Sequence, residues 1–207
     1  CSKDDSPSTN PAPTSPELKL VTSSNTTGKI SYTDLLTNSN SFALTVNGVD
    51  NDGIYYNSTT DEVILASRTN NRLETYTGLK TSFTNLNDNL TLSNFSANTD
   101  FTNAREIAVS GDKVIVTQDQ ATVNAHTNKL LVYQKTASGY TLLNTYTLDF
   151  KVWGIHVQGN DLYAVADLTS DIVVFNNFFS MASGVVVPSK RVTIEGLTRT
   201  HGITYSM

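Results

Sequence analysis

Cysteine is almost missing from this 207-residue sequence. The only one is Cys1, so no internal disulfide can form and no cysteine-based metal centre can be built. Charge is also scarce: 16 % of residues are charged, the formal net charge is −5, and no block of Lys or Arg occurs. That excludes the basic footprint of a nucleic-acid-binding surface. No apolar run approaches the roughly 18 residues of a membrane-spanning helix. No stretch keeps a helical hydrophobic period over about ten residues. The three histidines are scattered without metal-ligand spacing. There is no G-x-S-x-G elbow and no Gly-rich phosphate loop ahead of a helix. On these grounds no catalytic residue, metal or cofactor is assigned.

What is present is a repeat. Residues Lys151–Phe175 read as three short strands, GIHV, LYAVAD and IVVF, separated by a Gly-Asn-Asp turn and a polar turn. The same order recurs at Asp52–Tyr76 (GIYY, EVILASR, RLETY) and at Arg105–Tyr133 (EIAV, KVIVTQD, KLLVY). Residues from Glu17 onward join out of phase, ELKLVTS matching the second strand and GKISYT the third. Outer strands fall at SFALTV, NLTLSNF, YTLLNTYTL and KRVTIEG, and HGITYSM opens a further innermost strand. Second strands start at Leu18, Val63, Val114 and Leu162, so the unit is a four-stranded antiparallel meander of about 48 residues, within the range of propeller blades. The fold class expected is all-β, a β-propeller with about four blades' worth of chain in residues 17–207. One blade cannot bury its own nearly continuous apolar strands, so blades must stack. Pairing Gly202–Ser206 with the first unit, which lacks an innermost strand, would close a ring of four. A stretch of a larger propeller has the same ends, and that reading is preferred.

The Gly of GIYY, GIHV and GITY marks a close approach of innermost strands. Glu106 replaces it in the third unit, next to Arg105, with which it can form a local pair. Equivalent positions in a propeller face the same way. The entries to the innermost strands therefore place Asp52, Arg105, Trp153 and His201 around one mouth of the channel. The ends of the second strands add Ser23, Arg68, Asp119 and Asp167, and the loop 119–128 adds His126 above them. The binding residues expected are Asp52, Arg105, Trp153, His201, Arg68, Asp119 and Asp167, since loops on a rigid scaffold carry function. Structural readings stand beside these. Trp153 can plug the channel, the histidines can be hydrogen-bonded core residues, and Asp119 and Asp167 can close side-chain turns.

The pattern G-I-x-V, turn, L-Y-V-A-D, polar turn, I-x-V-F resembles the NHL/YVTN-type β-propeller repeats over 17–207, with GIHV…LYAVAD…DIVVF as the good copy. That resemblance implies a propeller fold and, for most such families, binding or scaffolding. Some relatives are lactonases and lyases, and an enzyme of that type using Asp52, Glu106 and His201 is the alternative. Cys1-Ser2-Lys3-Asp4-Asp5 resembles the lipidated mature end and export signal of surface lipoproteins of Bacteroidota. Residues 2–16 hold all but one of the five prolines and no large apolar side chain, as a tether would. The resemblances together imply a lipid anchor on Cys1 in the outer membrane and display at the cell surface. A tether, a rigid ring and an aromatic-plus-charged rim suit a non-enzymatic accessory subunit of an outer-membrane uptake or secretion complex that binds a protein or glycan, and this is the function expected.

Overall fold

The computed structural model describes residues 19–36 and 42–206. Cys1 and the tether at 1–16 lie outside them. The first unit is a three-stranded sheet of β1 (Lys19–Ser23), β2 (Ile30–Asp34) and β3 (Phe42–Leu44). The second is β4 (Asn51–Asn57), β5 (Glu62–Ser67) and β6 (Arg72–Thr77), then a short helix α1 (Leu79–Thr84), then β7 (Thr91–Phe95). The third is β8 (Ala104–Ser110), β9 (Lys113–Gln118), β10 (Asn128–Thr136) and β11 (Gly139–Leu148). The fourth begins with β12 (Val152–Gln158), β13 (Asp161–Ala166) and β14 (Asp171–Phe175). The chain then adds β15 (Gly184–Val185) in parallel to the outer edge of β11 and returns as β16 (Lys190–Thr193) beside β14. The four antiparallel sheets are arranged as four blades of a β-propeller.

The repeat is visible in the backbone bonds. The N–H groups of Arg68, Asp119 and Asp167 donate to the carbonyls of Asp50, Asn103 and Lys151 at 2.9, 3.1 and 3.0 Å, one such bond in each of three blades. At the other end of blades three and four, the hairpins Ser110–Lys113 and Gln158–Asp161 turn on Gly111 and Gly159, with φ of 61° and 60°, which suits a two-residue hairpin loop.

The second strands of blades two and three are covered on both faces, whereas β1 of blade one alternates between half-buried and exposed residues. In β5 every residue from Val63 to Ser67 is buried, and in β9 every residue from Val114 to Gln118. Among the described residues three cores result, each between two successive blades. Ile30, Tyr32 and Leu44 meet Val63, Leu65 and Tyr76 between blades one and two. Ile64, Ala66 and Leu73 meet Val114, Val116 and Leu131 between two and three. Ile115, Leu130 and Val132 meet Ile155, Leu162 and Val173 between three and four. Each such side chain contributes about 1.5–3 kcal/mol on burial, which a lone blade cannot collect.

The innermost-strand glycines behave as their positions predict in two cases. A Cβ on Gly53 would lie 2.6 Å from the Ile107 backbone nitrogen, and one on Gly154 would lie 2.3 Å from the His201 carbonyl oxygen. The neighbour met is thus the next unit's inner segment. Gly202 differs, with open space around its Cβ position. The expected innermost strand at Gly202–Ser206 is corrected as well. Residues 200–206 form no strand, and among the described residues they make no pair with β1. An innermost strand is held by its ladder to a second strand, and among the described residues no backbone pairing joins 200–206 to one. Side chains fasten it instead: Tyr205 packs on Tyr163 at 5.0 Å and lies near-parallel to His156 at 6.5 Å.

Candidate functional site: a charged rim at one mouth of the propeller

The register of each innermost strand slips by one residue at the same place: between Asn51 and Ile54, Ala104 and Ile107, and Val152 and Ile155. The residues inside these bulges are Asp52–Gly53, Arg105–Glu106 and Trp153–Gly154. A bulge re-aims a side chain that the strict pleat would point elsewhere. Here it turns Asp52, Arg105 and Trp153 towards the ends of the second strands.

All seven residues expected at this mouth are joined. Asp52 Oδ2 lies 3.5 Å from Arg68 Nη1 and 3.2 Å from Arg105 Nη1. Arg105 continues to Asp119, with Nη2 to Oδ2 at 3.2 Å, and places its guanidinium 4.7 Å from the centroid of the Trp153 ring. The indole stacks on His201, with centroids 4.3 Å apart and planes 16° from parallel. His201 Nε2 is 3.5 Å from Asp167 Oδ1. Residues 53 positions apart in sequence, such as Asp52 and Arg105, are bonded directly. Trp153 is half-buried with its ring taken up by the chain's own Arg105 and His201.

Four further members are not among the residues expected from the sequence. Asp50 pairs with Arg68 at 3.4 Å, and Asn103 Oδ1 accepts from Arg68 Nη2 at 2.8 Å. Lys151 Nζ lies 3.3 Å from Asp119 and 4.0 Å from Asp167, and Arg199 Nε lies 3.2 Å from Asp167 Oδ1. These four stand two residues ahead of Asp52, Arg105, Trp153 and His201, at one repeat position. The repeat alignment held the signal for them.

Other expectations resolve individually. Ser23 Oγ donates to the Asp52 carbonyl at 2.7 Å, which ties blade one to the rim. His126 is exposed on the loop after β9 with φ of 55°, and no rim contact joins it among the described residues. At Asp167 the bond found is to the adjacent N–H, of Leu168 at 2.8 Å, and not the one two residues on that an Asx turn makes, and the carboxylate also takes Lys151 and Arg199. The local Arg105–Glu106 pair is corrected: Arg105 turns to Asp52 and Asp119, and Glu106 Oε1 accepts only the N–H of Ile107, at 3.0 Å. Burial pushes the Glu106 carboxyl above the usual range, the Ile107 N–H lowers it in part, and the Asp52 charge adds to the rise.

The rim is graded. The side chains of Asp119 and Asp167 are 6 % and 2 % exposed, whereas Arg199 and His201 are 53 % and 47 % exposed. The buried carboxylates thus hold donors at fixed positions, and two of these donors reach solvent at one end of the network. That arrangement can hydrogen-bond an acceptor group without first ordering its own side chains. Among the described residues no three His, Cys, Asp or Glu side chains gather closely enough to hold a metal ion. Asp52, Glu106 and His201 form no such group among the described residues, Asp52 being engaged by two arginines and His201 by Trp153 and Asp167.

No protein-family model matches the chain, and no curated protein matches it. Among solved structures it is similar to a functionally unknown protein from Desulfotomaculum acetoxidans DSM 771, with a TM-score of 0.57 at 13 % identity over 87 % of this chain. The chain spans 55 % of that protein's length. A second, looser likeness is to a chain in the crystal structure of a nidogen/laminin complex, with a TM-score of 0.47 at 10 % identity, covering 90 % of this chain and 84 % of that one. At 13 % identity the first of these likenesses speaks for the fold alone.

Proposed function

We propose that the chain is a non-enzymatic binding module that engages a protein or glycan through the charged rim. The observation that carries this reading is the single network linking Asp52, Arg68, Arg105, Trp153, Asp119, Asp167 and His201 across the blades. A purely structural purpose would be served by local pairs within each blade. Here the bulges bring unlike chemistries from each unit to one mouth, and Arg199 and His201 at one end are left accessible. The repeat remains NHL/YVTN-like in its best copy, in keeping with binding and scaffolding.

The setting proposed is the bacterial outer membrane, with Cys1 lipidated, the tether holding the propeller off the membrane, and the module serving an uptake or secretion complex. Support comes from Cys1–Asp5 and from the Pro-rich composition of 2–16. One acyl chain anchors weakly and several durably, at about 0.8 kcal/mol per buried CH₂.

Trp153 is the only tryptophan in the chain, so its emission reports on the rim alone. Titration with free glycan fragments and with detergent-solubilised outer-membrane complexes should quench or shift that emission for the true ligand. Arg105→Ala should then weaken binding roughly tenfold. A ligand bound by the Arg105→Ala/Trp153→Ala double variant at wild-type affinity would move the functional surface off the rim. Separately, Cys1→Ser in the precursor should abolish membrane fractionation, and unchanged fractionation would reject the anchor.

A further inference from the structure

The charged side chains of the rim form one string in which acid and base alternate. Asp52 stands between Arg68 and Arg105, and Asp119 between Arg105 and Lys151. Asp167 follows, between Lys151 and Arg199. Every member inside the string therefore meets two opposite charges. The two ends meet one each, and they differ. At the blade-two end, both carboxylate oxygens of Asp50 lie 3.4 Å from Arg68 Nη1. At the blade-four end, Arg199 spends only Nε, 3.2 Å from Asp167 Oδ1, and its Nη1 and Nη2 have no hydrogen-bond partner among the described residues.

One buried oxygen fixes the surroundings of this unspent fork. Asp167 Oδ1 accepts the N–H of Leu168 at 2.8 Å and Nε of Arg199, and it faces His201 Nε2 at 3.5 Å. Leu168 is held there with φ of 67°, a left-handed conformation uncommon for any residue but glycine, and its apolar side chain is exposed. A guanidinium, an imidazole and an exposed leucine are thus tied to a single carboxylate oxygen.

We propose that the free fork of Arg199 binds a carboxylate of a protein partner, an Asp or Glu side chain with an apolar residue beside it. This rests on the rim's proposed role as the binding surface and names the group it recognises. The alternation lacks an acid after Arg199, and the paired N–H groups of a guanidinium match the two oxygens of a carboxylate. Because Asp167 already holds the arginine in place, little side-chain freedom is lost on binding. A singly charged group suits the site better than a dianion, since Asp167 is bonded to the same guanidinium and repels added negative charge. Leu168 supplies the contact for the neighbouring apolar side chain. A protein carboxylate is favoured over that of a sugar acid, because a sugar ring packs on an open aromatic face and the Trp153 ring is taken up by Arg105 and His201.

The probes are two peptides that differ only in charge, acetyl-Leu-Glu-Leu-amide and acetyl-Leu-Gln-Leu-amide, with sodium glucuronate as the sugar acid. Each is titrated at millimolar concentration into the full chain, and heteronuclear NMR follows the Arg199 Nε–H signal, assigned by its loss in Arg199→Gln. The Glu peptide should shift that signal to saturation, the Gln peptide should bind roughly tenfold more weakly, and glucuronate should bind more weakly than the Glu peptide. Saturation transfer to the Glu peptide reads the variants. Arg199→Gln should weaken binding about tenfold, Arg199→Lys should recover only part of the loss, and Leu168→Ala should weaken it about twofold to threefold. If a variant does not fold, the two peptides on the wild-type chain decide. Failure of the rim reading itself is seen elsewhere, as a partner held at wild-type affinity by the Arg105→Ala/Trp153→Ala variant. Equal affinity for the two peptides, tighter binding of glucuronate than of the Glu peptide, or undiminished binding by Arg199→Gln would each overturn the carboxylate assignment.

Discussion

Glu74 and Asp119 are both buried carboxylates, but they recruit their partners over very different distances along the chain. Glu74 accepts from Asn70 at 2.9 Å, Arg72 at 2.8 Å and Tyr76 at 2.6 Å, all within four residues of it. Asp119 accepts from Arg105, at the entry to the innermost strand of its own blade, and faces Lys151 from the next blade. The first network fixes one strand end inside blade two. The second couples blades three and four and, through Arg105 and Asp52, reaches blade two. A buried carboxylate costs several kcal/mol to desolvate wherever it is, so both need full sets of donors. Only the second arrangement places donors where another molecule can meet them.

Either network can be broken by removing its carboxylate, and the largest effect is expected at Glu74. Glu74→Ala removes the acceptor of three donors at a fully buried site and should cost about 3–5 kcal/mol in urea unfolding. A loss below about 1 kcal/mol would mean that the local network is dispensable. Asp119→Ala should cost less, about 1–3 kcal/mol, because Arg105 retains Asp52 and Lys151 retains Asp167. Its distinctive result should be looser coupling between blades, read as faster amide exchange in β8 and β12. Equal exchange in variant and wild type would show that the rim does not tie blades together.

A smaller effect is expected in the outer part of blade four. The Thr193 hydroxyl and then Arg191, donating at 2.6 and 2.7 Å, hold the Asp171 carboxyl below the usual range. Because the folded value is depressed, this stabilisation is present above the ordinary carboxylate value of about 4 and is lost as pH falls through the lower folded value. Arg191 is largely exposed, so Asp171→Asn should cost no more than about 1 kcal/mol at neutral pH. That cost should shrink in acid. A pH-independent difference between the two proteins would contradict the assignment.

Glu106 has the opposite sign and the smallest expected effect. Its folded value is raised, so ionisation opposes folding as pH rises from about 4.3 through that value. Glu106→Gln should therefore raise the melting temperature slightly at pH 7 and leave it unchanged near pH 3. A lower melting temperature at pH 7 would mean that the carboxylate is used by a contact its geometry does not show.

The sequence alone determined the blade. Alternating and continuous apolar strands, glycine turns and a period of about 48 residues fix four meanders and their strand order, since hydrophobic period and turn chemistry are local properties. The same period placed Asp52, Arg105, Trp153 and His201 on one face, because equivalent positions of a repeat share an orientation. Tertiary structure decided the rest. The bulges at 52–53, 105–106 and 153–154 are slips between two strands, and a slip has no signature in either strand alone. The choice of Asp52 and Asp119 over Glu106 as partners of Arg105 depends on which side chains the bulge turns outward. Among the described residues 200–206 join no ladder, although GITY has the same composition as the inner strands that do. Which ring packs at each blade interface is also decided there: Phe83 between blades one and two, Tyr140 between two and three, and Phe178 and Phe179 between three and four. A repeat period specifies position, but which groups meet there is set by packing between blades, where the contacts lie some 50 residues apart along the chain.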